Sequence, residues 1–149
     1  MSGIFKAYDI RGLYPEQLNE DLARKIGRAY IVFTGAKKVV VGHDMRPDSI
    51  PLKEALFEGM TMQGADVIDI GMCSTPMSYF ANGTLKAEGS IMITASHNPE
   101  GWNGFKLCKA DAVPISGATG IGDIEKLVEA DDFTPAAEAG SVSTYDIAP

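Results

Sequence analysis

The sequence predicts one α/β domain, built as a doubly wound, mixed or mostly parallel sheet that is flanked by helices. Two observations predict this fold. Short β-branched or apolar runs alternate along the chain with longer segments whose apolar residues recur at helical spacing. The connections between these segments are short, which is typical of strand–helix–strand units. The 149 residues, 45% of them hydrophobic, are enough for a single sizeable core.

The first strand and the first helix are predicted at the beginning of the chain. Residues 4–10 are apolar and aromatic, which favours a strand, and we expect Arg11-Gly12 to end it. A helix is predicted to begin at Pro15 and to end at Gly35, because apolar residues recur there every three or four positions. These residues are Leu18, Leu22, Ile26, Tyr30 and Phe33.

Three strands and two helices are predicted in the middle of the chain. The run Val39-Val40-Val41 is typical of a strand buried on both faces. A helix follows at residues 49–63, with Asp48 or Ser49 as its cap. Residues 67–70 and 89–94 predict two more strands. Between them, Thr75-Pro76 is expected to cap and start a helix that extends from Met77 to about Leu85.

The last part of the chain predicts one strand at residues 104–109 and one helix at residues 119–128. From Ala130 onward the composition changes to Ala, Glu, Asp, Gly and Ser. We therefore expect residues 1–134 to form the domain and residues 135–149 to form a linker toward further domains.

Composition and charge exclude several classes of protein. The net charge of −7 disfavours nucleic-acid binding through bulk charge. No apolar run approaches the roughly 20 residues that span a bilayer, and no secretory signal is visible, so we expect a cytoplasmic protein with no membrane partner. Two cysteines, Cys73 and Cys108, and two histidines offer no zinc-binding spacing, and we expect reduced, buried thiols.

The loops that follow the strands are the expected binding region, because ligands of open α/β sheets bind beyond the carboxyl ends of the strands. The most unusual loop contains Thr94-Ala95-Ser96-His97-Asn98-Pro99, which places a hydroxyl, an imidazole and an amide side by side. Backbone N–H groups in such a loop can form an anion-binding nest. Lys106 on the next strand and Arg11 after the first strand could neutralise a bound phosphate.

Other phosphate and hydrolase motifs are absent from the sequence. It contains no G-x-G-x-x-G after a strand, no G-x-x-x-x-G-K-[ST] and no G-x-S-x-G around Ser96. Nucleotide binding through a P-loop and hydrolysis through a nucleophile elbow are therefore disfavoured.

Four segments, in order along the chain, are similar to motifs of one known family. They are Phe5-Lys6-Ala7-Tyr8-Asp9-Ile10-Arg11-Gly12, Gly42-His43-Asp44-Met45-Arg46-Pro47-Asp48-Ser49, Thr94 to Pro99 with Asn103-Gly104-Phe105-Lys106, and Pro114-Ile115-Ser116-Gly117. Together they resemble the first domain of the α-D-phosphohexomutases, and the last resembles the phosphomannomutase/phosphoglucomutase branch. His43 stands where the family's G-R-D-x-R-x-S segment has arginine. The resemblance extends from residue 4 to about residue 130.

The resemblance implies that Ser96 carries a phosphoryl group. It would pass this group to a hexose phosphate, and the bisphosphorylated sugar would reorient and return its other phosphate. The net result interconverts hexose 6-phosphate and hexose 1-phosphate, with mannose and glucose favoured over glucosamine by residues 114–117. The phosphoserine charge of about −1.5 to −2 must then be compensated.

The resemblance also implies roles for individual residues. Ser96, His97, Lys106 and Arg11 would be catalytic, and Tyr8 and Asn98 would contact substrate. Mg²⁺ would be bound through a phosphoryl oxygen on Ser96, with its aspartate ligands in a later domain, and a hexose 1,6-bisphosphate would be the activator. The remaining mutase domains would be partners of this chain, which we expect to be inactive as a mutase by itself.

Purely structural roles are an alternative for some of these residues. Arg11 could simply pair with Asp9 or Asp44, and Arg46 and His43 could brace their loop rather than contact substrate. The whole chain could also be a non-catalytic α/β module that binds a phosphorylated ligand or a partner chain through the same loops.

Overall fold

Six strands and four α-helices are present in the computed structural model, which describes residues 4–6, 9–94, 100–110 and 113–145. The strands are β1 (Ile10–Leu13), β2 (Lys38–His43), β3 (Asp66–Met72), β4 (Gly89–Ile93), β5 (Trp102–Lys109) and β6 (Val142–Thr144). The helices are α1 (Glu20–Thr34), α2 (Ser49–Met62), α3 (Thr75–Thr84) and α4 (Gly122–Ala130), and a π-helical turn at Gly117–Ile121 precedes α4.

The strands form one mixed sheet in the order β1-β5-β4-β2-β3-β6. Strand β2 is parallel to both of its neighbours, β3 and β4, and β6 is parallel to β3. Strand β5 is antiparallel to β4 and to β1. The predicted α/β fold with a mixed or mostly parallel sheet is confirmed. Because the chain goes from β2 to β3 on one side and then back to β4 on the other, the direction of winding changes beside β2.

Helices cover the two faces of the sheet unequally. Helices α1, α2 and α4 pack on one face around a large apolar core that includes Ile26, Leu56 and Phe105. Helix α3 alone packs on the other face, where the buried apolar cluster is small. We call these the core face and the α3 face. No helix within the described ranges is long and apolar enough to cross a membrane.

The prediction of the first strand at residues 4–10 is wrong. Strand β1 begins at Ile10 and continues to Leu13, so Arg11 and Gly12 lie inside it rather than ending it. Pairing with β5 extends the strand, because Arg11 lies opposite Gly104. The two strands are so close that a Cβ atom on Gly104 would lie 2.1 Å from the carbonyl oxygen of Ile10.

Helix α1 begins five residues later than predicted from Pro15. Its N-cap is Asn19, whose side-chain oxygen accepts a hydrogen bond from the N–H of Leu22, and this cap fixes the first turn. Leu18 belongs to the apolar pattern and is buried, but it lies in the preceding turn, where its N–H donates to the carbonyl of Leu13.

The caps of the next two helices agree with the prediction only in part. Asp48 occupies the N-cap position of α2 but makes no side-chain capping bond, and the hydroxyl of Ser49 donates to Asp44 instead. Helix α3 begins at Thr75 rather than Met77, because Ser74 Oγ accepts from the N–H of Met77.

The predicted linker contains a strand. Strand β6 adds to the outer edge of β3 with Val142 opposite Val67. Upstream of it, the N–H groups of Ala136 and Gly140 donate to the carbonyl groups of Met62 and Thr61 at the end of α2. Backbone hydrogen bonds rather than apolar burial attach this segment, since all of β6 is exposed. The domain boundary at residue 134 stays a prediction.

Candidate functional site

The loops after β2 and β4 begin next to each other, at the carboxyl ends of these two strands. These strands are neighbours, with His43 opposite Ile93, so the loops that follow them begin side by side. The N–H of Asp44 donates to the carbonyl of Ile93, which joins the two loop origins directly. The winding direction of the sheet changes at the same place, and ligands of doubly wound sheets bind at such a position.

Four of the predicted site residues lie outside the described part of the chain. They are Tyr8, Ser96, His97 and Asn98. Thr94 and Glu100, which lie on either side of the segment 95–99 that contains the last three, are described. The roles predicted for these four residues therefore stay predictions.

Arg11 and Lys106, the other two predicted site residues, lie on neighbouring strands and on the same face. Arg11 lies opposite Gly104, and Lys106 is two residues farther along β5, so both side chains lie on the α3 face. Diagonal neighbours of this kind are about 7–8 Å apart, within reach of long side chains. The register therefore places two cationic side chains together beside the end of β4, where Lys106 lies opposite Met92.

Arg11 has an acidic partner in the structure. Its Nη2 donates to Oδ2 of Asp9, a buried carboxylate two residues earlier. The predicted alternative that Arg11 pairs with Asp9 is thus observed. This ion pair holds the guanidinium on the α3 face, and 30% of the arginine side chain is exposed.

A network of polar side chains lies on the core face at the same end of the sheet. The hydroxyl of Ser49 donates to Oδ1 of Asp44 at 2.8 Å and accepts from Nδ2 of Asn103 at 3.0 Å. Ser49 and Asn103 are completely buried. Sequence reasoning missed this network, and Asn103 was noted only as part of the Asn-Gly-Phe-Lys motif.

Arg46 extends the network. Its Nε lies 3.3 Å from Oδ2 of Asp44, and its Nη1 donates to the carbonyl of Trp102 at 3.1 Å. Its backbone N–H also donates to Oδ1 of Asp44. Arg46 therefore holds the loop after β2 against the beginning of β5. Of its two predicted roles, bracing the loop or contacting substrate, this is the first.

His43 lies on the core face beside α2. It is 5% exposed, and its Nδ1 has no hydrogen-bond partner. Burial lowers the pKa of this imidazole, and the positive charge of Lys53 lowers it further, against the opposing effect of Asp69 and Asp44. Lys53 itself pairs with Asp69 at 3.0 Å. His43 is thus a neutral, enclosed side chain at neutral pH, and nothing places it against a ligand.

Metal-binding side chains do not cluster in the described ranges. No three of the His, Cys, Asp and Glu side chains there converge on a point where they could hold an ion. The side chains of the described ranges therefore do not by themselves fit a magnesium site, and we derive no chemical step through a metal. Cys73 and Cys108 are free thiols whose pKa values are raised by burial, although Cys73 is only half-buried.

A separate cleft of about 530 Å³ lies at the opposite end of the sheet. It is lined by the end of α1, by Lys37 and Asp66 at the beginnings of β2 and β3, and by residues 136–140. Because it lies at the amino ends of the parallel strands, it does not coincide with the candidate site.

The fold and the site together define a class of protein. It is an α/β/α domain with two neighbouring cationic side chains, Arg11 and Lys106, near the carboxyl ends of its strands, a setting suited to anionic ligands. The family model described as "Phosphoglucomutase/phosphomannomutase, alpha/beta/alpha domain I" matches residues 2–135. This chain belongs to the phosphoglucomutase/phosphomannomutase family, and it contains the family's domain I.

Individual relatives agree with this assignment. A phosphomannomutase of Salmonella typhimurium is 51% identical over 143 residues, which are 96% of this chain and 31% of the relative. A phosphomannomutase of Klebsiella pneumoniae is 51% identical over 131 residues, which are 88% of this chain and 83% of the relative. The crystal structure of a phosphoglucomutase/phosphomannomutase family protein from Burkholderia thailandensis superimposes with a TM-score of 0.88 at 37% identity, covering 99% of this chain and 34% of that one. The chain thus spans about a third of the Salmonella and Burkholderia proteins.

Proposed function

We propose that this chain is the phosphoserine-bearing domain of a hexose phosphomutase. One observation carries the proposal: Arg11 and Lys106, 95 residues apart in sequence, lie on one face beside the end of β4, where the Ser96 segment begins. In a domain I with Arg11 and Lys106 so placed, the two cations would compensate the negative charge of a phosphoryl group on Ser96. The names of the relatives support mannose phosphates as the substrate class.

The proposed reaction has two phosphoryl transfers. In the first, the bond between phosphorus and Ser96 Oγ breaks, and the phosphorus forms a bond to a hydroxyl oxygen of a hexose phosphate, whose proton is transferred to a base. The bisphosphorylated hexose then reorients, and the bond between its other phosphorus and the sugar oxygen breaks as that phosphorus forms a bond to Ser96 Oγ. The freed sugar oxygen takes up the proton that the base holds. The net change moves the phosphate between positions 6 and 1 of the sugar.

The chain's own residues supply positioning and charge, which are the main requirements of phosphoryl transfer. Arg11 and Lys106 would stabilise the negative charge on the transferring group. His97 or Lys106 would hold the proton that the sugar hydroxyl releases, and Asn98 and Tyr8 would contact the sugar. Ser96, through its phosphoryl group, would be this chain's ligand to Mg²⁺, with the other ligands in the remaining mutase domains, and the bound ion would supply further neutralisation of negative charge.

Mass spectrometry tests the proposal. We expect the chain, incubated with glucose or mannose 1,6-bisphosphate and Mg²⁺, to carry one phosphoryl group that peptide mapping assigns to Ser96. Ser96→Ala should abolish the modification, and Ser90→Ala, at the opposite end of β4, should not.

The test includes the rest of the enzyme. The part of the Salmonella relative beyond the matched segment is supplied as a separate chain, and conversion of mannose 6-phosphate to mannose 1-phosphate is measured. A chain that stays unmodified at Ser96 and supports no conversion with that part present contradicts the proposal. Such a result would instead favour a non-catalytic module that binds phosphorylated ligands or partner chains.

A further inference from the structure

The polar network of Asp44, Ser49 and Asn103, in which Ser49 and Asn103 are completely buried, makes no described contact with Arg11 or Lys106. We infer that these three are positioning residues, which hold both ends of the segment that carries Ser96. The inference rests on the proposed function, because it assigns the network a purpose in phosphoryl transfer from that serine.

The two ends of the segment are attached to the same loop. At the end of β4, the carbonyl of Ile93 accepts from the N–H of Asp44 at 3.0 Å. At the beginning of β5, Asn103 donates to Ser49, and the carbonyl of Trp102 accepts from Arg46. The loop after β2 therefore connects the two points from which residues 95–101 extend.

The two ends are also bound to each other. The N–H of Thr94 donates to the carbonyl of Gly104 at 2.9 Å, and the N–H of Gly104 donates to Oδ1 of its neighbour Asn103. The Asn103 amide thus makes bonds at both its nitrogen and its oxygen. A buried amide with both groups bonded has one favourable orientation, which fixes the direction in which the chain enters β5.

Burial makes the network sensitive to the loss of a single atom. Ser49 Oγ is donor to Asp44 and acceptor from Asn103, so its removal breaks the side-chain path from Asp44 to Asn103 at its centre and leaves the bond from Arg46 to Trp102 as the other link to β5. The amide of Asn103 then lacks that acceptor inside the protein, where an unpaired polar group is unfavourable. We expect the ends of the segment to move apart or to admit water.

The chain contains a matched control for this bond. Asn82 Nδ2 donates to Ser90 Oγ at 3.1 Å, and both residues are buried. This Asn–Ser bond has nearly the same length as that of Asn103 and Ser49, but it joins α3 to the beginning of β4, at the opposite end of the strand from Thr94. Ser90→Ala removes the same kind of bond without touching the Ser96 segment.

Hydrogen exchange tests the positioning independently of activity. We expect the peptide covering residues 94–104 to exchange at least tenfold faster in Ser49→Ala and Asp44→Ala than in the wild type, and to be unchanged in Ser90→Ala. Asp44→Asn keeps the Oδ1 acceptor for Ser49 Oγ and for the N–H of Arg46. It should therefore restore most of the protection that Asp44→Ala loses.

The rate of phosphoryl uptake gives the functional readout. With the bisphosphate and the rest of the enzyme supplied as above, Ser49→Ala and Asp44→Ala should lower the maximal single-turnover rate at Ser96 at least tenfold. The half-saturating concentration of the bisphosphate should change less than threefold, because Ser49 and Asn103 lie on the core face, on the other side of the sheet from Arg11 and Lys106. Ser90→Ala should leave both values unchanged, and Asp44→Asn should recover most of the rate.

The two possible failures are distinguishable. Equal exchange of residues 94–104 in Ser49→Ala, Asp44→Ala and Ser90→Ala overturns the positioning role, whatever happens at Ser96. Slower phosphoryl uptake at Ser96 without faster hydrogen exchange of residues 94–104 overturns the positioning role as well. The substitutions would then not act through the ends of the segment. A wild type that takes up no phosphate refutes the proposed function instead, and with it the purpose assigned to the network.

Discussion

The core face and the α3 face of the sheet differ in how they are closed. On the core face three helices enclose a continuous apolar cluster, in which Leu56 is completely buried. On the α3 face one ten-residue helix covers part of the sheet, and polar groups of Ser78, Asn82 and Ser90 are buried beneath it. Phe80 on α3 is 69% exposed. The apolar free energy of folding therefore comes mainly from the core face.

The two predicted cations lie on the α3 face, which is the less apolar of the two faces. Arg11 and Lys106 belong to strands β1 and β5, and α3 packs against β2 and β4. A cationic side chain on the core face would have to be buried in the apolar cluster, at a large cost in free energy. The thinly covered face tolerates such groups, so stability and the proposed chemistry are assigned to opposite faces.

Truncation of matched leucines gives the largest expected difference between the faces. Leu56→Ala on the core face should lower the free energy of unfolding by about 2–5 kcal/mol, because it leaves a cavity in a close-packed region. Leu85→Ala, in a half-buried leucine against the small cluster of the α3 face, should cost about 1 kcal/mol. Urea unfolding measures both, and equal costs would remove the distinction between the faces.

Helical glycines provide a second comparison. A Cβ atom on Gly59 of α2 would lie 2.0 Å from the carbonyl oxygen of Arg24 in α1, so the two helices must separate in Gly59→Ala. We expect a loss of about 1–3 kcal/mol. Gly83 of α3 has no atom within 4 Å of such a Cβ, and Gly83→Ala should be neutral or stabilise by up to about 1 kcal/mol. Thermal unfolding that ranks the two variants the other way would contradict the packing described.

Acid should destabilise the protein because His43 becomes protonated, and we expect this effect to be smaller than those of the leucine and glycine substitutions. Because burial and Lys53 lower its pKa in the folded state below 6.5, the unfolded chain binds a proton first as the pH falls through 6.5. The free energy of unfolding should therefore decrease between pH 7.5 and pH 5.5. His43→Gln should show a smaller decrease over the same interval in urea titrations, and an identical decrease would exclude this origin.

The sequence allowed prediction of those elements whose apolar residues follow a clear period. Helix α1 and strand β2 are examples, because each packs against the large core. Strand β6 and the extent of β1 escaped prediction, since backbone pairing with a distant strand determines them and leaves little trace in side-chain pattern.

The candidate site was predictable to a similar degree. Arg11, Lys106 and the Ser96 segment were identified from motifs and from the rule that ligands bind at the carboxyl ends of strands. The bond between Ser49 and Asn103 joins residues 54 positions apart. Neither side chain signals its partner in sequence, so only the tertiary structure identifies them as a pair.

We propose above all that Arg11 and Lys106, the cations beside the end of β4, stabilise the phosphoryl group on Ser96. The most direct test compares Lys106→Ala with Lys109→Ala, because both lysines belong to β5 but Lys109 lies opposite Gly89, at the other end of β4. The rate of phosphoryl transfer from glucose or mannose 1,6-bisphosphate to Ser96 is measured with the rest of the enzyme supplied. We predict at least a tenfold lower rate for Lys106→Ala and an unchanged rate for Lys109→Ala. Equal rates in the two variants would contradict the account.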